Sequence, residues 1–108
     1  MSFEILRTEE FSRHFKQLAK KYPSVKTDYA SLLESLEQNP LQGTPLGKDC
    51  YKIRRRISSK NTGKSGGARV ITYVKILKKR ITLLDIYDKS EKDSLTEKEL
   101  MAVLKKAD

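Results

Sequence analysis

The hydrophobic period of this chain changes at Asn39-Pro40, and that change bounds the folds open to it. Upstream, Phe11, Phe15, Leu18 and Tyr22 recur at helical spacing. After the break at Tyr22-Pro23-Ser24, Val25, Tyr29, Leu32, Leu33 and Leu36 repeat the pattern. Downstream, short runs rich in β-branched and aromatic residues alternate apolar with polar positions, as half-buried strands do. Helices gathered at one end and strands at the other predict an α+β domain. With 108 residues there is material for one domain, spanning 1–108, with a modest core.

The punctuation supplies the order of elements. A short extended start, "FEILR", runs into Thr8, placed to cap a helix whose first turn carries Glu9 and Glu10. Two helices, over about 9–22 and 25–38, are joined by so few residues that they form an antiparallel hairpin. "NPLQGTPLGKD" reads as a turn-rich connection. In "CYKIRRRI", Tyr51, Ile53 and Ile57 share one face while Lys52, Arg54 and Arg56 share the other. Arg55 falls on the apolar face and marks a bulge or strand edge. Residues 58–67 form a long hairpin tip, "ARVITYVKIL" returns, Lys78-Lys79-Arg80 turns, and "ITLLDIY" adds another strand. Thr96-Glu97-Lys98-Glu99 is a capping box, with Leu95 and Leu100 as its hydrophobic staple, and it opens a last helix carrying Leu100, Val103 and Leu104 on one face. The expected order is β-α-α-β-β-β-α, an antiparallel sheet packed against an N-terminal helical hairpin.

Charge narrows the function. The chain holds 23 Lys/Arg against 14 Asp/Glu, a net +9, and the excess is confined: residues 48–80 contain twelve bases and one acid, Asp49. Such a zone is the electrostatic footprint of a polyanion, most often nucleic acid. Gly63-Lys64-Ser65 imitates the end of a nucleotide-binding P-loop. However, the first glycine of that motif is replaced by Ser58, and a strand follows where the motif needs a helix. One cysteine and one histidine exclude an internal disulfide and a Cys/His metal cluster. Cys50 reads as a small apolar strand residue and His14 as a helix-surface residue. No apolar run reaches the length of a membrane span, and "MSFEILRTEEF" lacks an apolar signal core, so a soluble cytoplasmic protein is expected.

On a strand face, Lys52, Arg54 and Arg56 stand about 6–7 Å apart, close to the spacing of phosphates along a nucleic-acid strand. Arg69, opening the next strand, falls beside them. Such cations can simply bind phosphate. Aimed at the oxygens of a phosphate under attack by a neighbouring 2′-hydroxyl, they also stabilise the transition state without metal. Crowded cations disfavour one another's charge, which suits Lys52 or Lys89 to act as a base.

The run "YKIRRRISSKNTGKSGGARVITYV" followed by "LLDIYDKSEKDSL" resembles the RelE/ParE toxin superfamily, in particular its HigB-like branch, over essentially the whole chain. The resemblance implies the toxin of a type II toxin-antitoxin pair, an mRNA interferase that cuts mRNA in the ribosomal A site without metal or small-molecule cofactor. Its partners would be a cognate antitoxin, mRNA and ribosomal RNA, with no membrane involved. By position, Lys52 and Arg54 would handle the reactive phosphate and the proton transfers, and Arg69 would steady the phosphorane. Ser90 and Thr96 stand near where RelE has a late arginine and a tyrosine, leaving Lys89, Lys92 or Tyr87 as substitutes. Arg56, Lys60, Lys64 and Lys92 would grip RNA, and Tyr73 would pack in the sheet. The alternatives are a ParE-like inhibitor of DNA gyrase and a non-catalytic RNA-binding module.

Overall fold

A computed structural model describes residues 3–59, 67–92 and 94–107. Strand β1 (Glu4–Arg7) leads into helices α1 (Glu9–Lys21) and α2 (Val25–Gln38). Strands β2 (Thr44–Gly47), β3 (Cys50–Arg55), β4 (Ala68–Lys75) and β5 (Arg80–Asp88) follow, then helix α3 (Glu97–Ala107). The helix signals work as read. The Thr8 hydroxyl accepts from Phe11 N–H at 3.0 Å, capping α1, and donates to the Leu84 carbonyl at 2.9 Å, which fastens the helix start to β5. Thr96 and Glu99 exchange two hydrogen bonds, 2.9 and 3.1 Å, across the first turn of α3.

The strands form one sheet in the order β1-β5-β4-β3-β2. It departs from the expected sheet in two ways. First, β1 runs parallel to β5, pairing Glu4 with Arg80 and Arg7 with Leu83, because α1 and α2 return the chain to the far side before the meander begins. Second, "TPLG" is an additional edge strand; its proline and glycine read as turn residues, yet an edge strand tolerates both. The β3–β4 ladder is continuous from Cys50 to Arg55, so Arg55 marks a strand end and not a bulge. A bulge does occur in β5, where Leu84 is unmatched between the pairs Thr72–Leu83 and Ile71–Asp85.

The two sheet faces are finished differently. Phe11, Leu18, Val25, Leu32 and Leu36 of the helical hairpin pack on Ile53, Val70, Val74, Ile81, Leu83 and Ile86 in the main core. On the opposite face α3 lays Leu100 and Val103 over Cys50, Ile71, Leu84 and Tyr87, covering only part of the sheet. Two glycines clamp β3. Both lie at positive φ (Gly43 +105°, Gly67 +102°), and a Cβ on either would stand 2.6 Å from a β3 carbonyl, that of Lys52 or Arg55.

Candidate active site

Alternation along β3 sends Ile53 into the helical core and Cys50, Lys52 and Arg54 to the α3 face. Cys50 lies under α3. Lys52 and Arg54 extend beyond its cover, where the register sets Arg54 directly opposite Arg69, and Arg69 in turn beside Tyr87. Like charges facing each other across strands destabilise a sheet. Nothing in the fold requires this pair.

Lys52, Arg54, Arg69 and Lys89 line one open cleft of about 540 Å³, together with Gly43, Thr44 and Ser94. Among the described residues, four cations and no carboxylate border it, a donor set suited to an anion. Among the described residues, Lys52, Arg54 and Lys89 have no ion-pair partner. Arg69 is only 4% exposed, and its Nη1 donates to the Ala68 carbonyl at 3.2 Å. A guanidinium so covered keeps its remaining donors fixed in direction, whereas exposed Arg54 is free to adapt.

Lys89 owes its place to Asp88, which is 1% exposed. The Asp88 carboxylate accepts from the Ser90 N–H at 2.9 Å and hydroxyl at 2.8 Å, and its carbonyl accepts from the N–H groups of Glu91 and Lys92. The Lys89 N–H donates to the Gly67 carbonyl at 3.0 Å. The turn is thus tied at both ends, and Lys89 projects over the cleft from the strand end next to Arg69.

The other candidates divide. Arg56 lies past the end of β3, exposed, beside a small apolar crevice between α2 and the sheet; it does not border the cleft. Lys60 and Lys64 lie outside the described residues. Lys92 is directed away: its ammonium bonds Glu99 and stands 5.9 Å from the Tyr87 ring centre, in a separate groove with His14 and Asp85. Glu91 pairs with Lys21 of α1 at 2.8 Å. Tyr87 is buried, and Tyr73 packs against the α3 core, as expected of it. His14 is more than a surface residue, since its Nδ1 lies 2.6 Å from Oδ1 of buried Asp85, which the β5 bulge turns toward α1. Sequence reading missed Gly43, Thr44 and Ser94 as parts of the cleft wall; they come from a segment read as turn and from the loop before α3, with no chemical signature of their own.

A small α+β domain with a cationic cleft on a half-open sheet face belongs to the class of proteins equipped to meet a polyanion. The family model described as the RelE toxin of the RelE/RelB toxin-antitoxin system matches residues 5–108, so the chain belongs to the RelE toxin family. The fold is similar to that of a double mutant of the E. coli toxin RelE in the free state, with TM-score 0.62 and 16% identity over 99% of this chain and 95% of that one. A looser likeness, with TM-score 0.45 and 24% identity over 79% of this chain and 94% of the other, is to a chain of the intact E. coli RelBE toxin-antitoxin complex. Among the described residues no helix is long and apolar enough to cross a membrane.

Proposed function

We propose that this toxin is a ribosome-dependent mRNA endonuclease of the HigB-like branch, acting in the cytoplasm and silenced by a cognate antitoxin. The observation that carries the reading is the convergence of Lys52, Arg54, Arg69 and Lys89 on one cleft along which the described residues place no carboxylate. A phosphodiester of mRNA lies along β3, its non-bridging oxygens toward Arg54 and Arg69. The 2′-hydroxyl attacks the adjacent phosphorus, Lys52 takes its proton, and Lys89 protonates the leaving 5′-oxygen. Products are a 2′,3′-cyclic phosphate and a 5′-hydroxyl. Negative charge grows on the phosphorane oxygens during attack, and the two guanidiniums meet it in a partly covered site where each donor counts for more than in water. No step needs a metal or a cofactor.

The wider basic zone, residues 48–80, supports docking on ribosomal RNA. Inducing the protein in cells and mapping new mRNA 5′ ends tests the reading. Cuts within translated regions, in register with codons, are expected. Growth arrest without such ends would overturn the nuclease reading and shift weight to gyrase inhibition.

A further inference from the structure

A second groove, about 340 Å³, adjoins the cationic cleft and shares Lys52 and Ser94 with it. Its chemistry is different. Leu46 of β2, Ile71 of β4, and Leu95 and Leu100 at the start of α3 supply apolar surface, while Lys48, Ser94, Thr96 and Glu97 supply polar groups. Apolar walls with a few polar groups at the border suit a flat heteroaromatic ring, whose faces are apolar and whose edge hydrogen-bonds.

The two acids of the first α3 turn have different employment. Glu99 is committed, accepting from the Thr96 N–H and bonding Lys92. Glu97 lines the groove, and among the described residues it has no hydrogen-bond or ion-pair partner. A carboxylate in this place accepts and never donates. It therefore favours a base edge carrying an amino group, the N6 of adenine, the N4 of cytosine, or N1–H and N2 of guanine. It disfavours uracil, whose two carbonyls flank a single N–H.

We infer that this groove holds one nucleobase next to the scissile phosphate and that Glu97 selects amino-bearing bases against uracil there. The inference rests on the nuclease reading and adds to it a readout of sequence. When a phosphate occupies the cleft at Lys52, the base attached to that nucleotide lies within reach of the groove, because Lys52 and Ser94 form the wall between the two.

The test is cleavage on programmed ribosomes by the wild type and by Glu97→Gln, with every base presented at each position around the cut. Glu97 is exposed and its replacement leaves the cap bonds of Thr96 and Glu99 in place. For the wild type, one position next to the cut should disfavour uracil by about tenfold or more, the discrimination typical of a well-made base contact. In Glu97→Gln that bias should collapse to within about threefold. Leu46→Ala, which widens the groove at an edge strand, should blur the preference at the same position and no other. Unbiased cutting by the wild type, or an unchanged base spectrum in Glu97→Gln, would overturn the inference while leaving the nuclease standing. No cleavage by the wild type would instead overturn the nuclease reading, and the groove assignment with it.

Discussion

The two faces of the sheet are built from the same strands yet obey different rules. Facing the helical hairpin, β3 and β4 present Ile53 and Val70 as register partners, both buried among leucines and a phenylalanine. One residue along, on the other face, the same two strands present Arg54 and Arg69 as partners. The first pair stabilises the domain by leaving water. The second costs stability by repulsion and, for Arg69, by desolvation. A sheet that keeps both is stabilised by one face and left open to an anion on the other.

The largest effects should separate the faces completely. Phe11→Ala, a fully buried ring in the main core, should lower unfolding free energy by about 3–5 kcal/mol in denaturant melts. Arg69→Ala should slow mRNA cleavage by about 100- to 1000-fold with little loss of stability. A comparable collapse of the fold in Arg69→Ala would mean that the covered guanidinium belongs to the structural side after all.

Next in size is Thr8→Ala. It removes the α1 cap and the bond to the Leu84 carbonyl, and should cost about 1 kcal/mol of stability at unchanged cleavage rate per folded molecule. Arg54→Glu should be smaller and opposite in sign. Turning a like-charge pair into an ion pair should stabilise the sheet by about 0.2–1 kcal/mol, read as a raised unfolding midpoint, while abolishing cleavage. If the midpoint fell, the cost of facing arginines would have to be discarded.

The smallest effect is one of pH at α3. Lys92, and then the Thr96 N–H, hold the Glu99 carboxyl down to about 2 from its ordinary 4.5. The folded value lies below the unfolded one, so the stabilisation is complete above about pH 4.5 and is lost as pH falls toward 2. Acid titration of α3 by amide hydrogen exchange should show this window in the wild type and not in Glu99→Gln.

Much of this was legible in the sequence because it is encoded locally. The caps at Thr8 and Thr96, the helical stripes and the alternation of β3 each depend on residues a few positions apart. Strand alternation together with family resemblance singles out Lys52, Arg54, Arg69 and Lys89, and the four share a cleft. Features depending on distant pairing were not legible. The parallel β1–β5 match, the unmatched Leu84 and the approach of His14 to Asp85 join residues about 70 or more positions apart in two cases, or arise from a register slip in the third. The departure of Lys92 from the cleft follows from Glu99, seven residues on, whose side chain claims its ammonium. Cys50 reads as a small apolar strand residue, and the fold agrees: it lies buried in β3, where burial, with Asp49 adding to it, pushes its thiol up to about 11.

The parallel pairing of β1 with β5 bears on when, during its own synthesis, this protein becomes dangerous. Glu4 meets Arg80 and Arg7 meets Leu83, so the earliest strand has no neighbour in the sheet until nearly the whole chain has left the peptidyl-transferase centre. The cleft has the same dependence, since its wall draws on residues from Gly43 to Ser94. Contacts so distant in sequence form late, after the loop-closure entropy has been met. The sheet edge and the cleft wall therefore both wait on the same late segment of the chain.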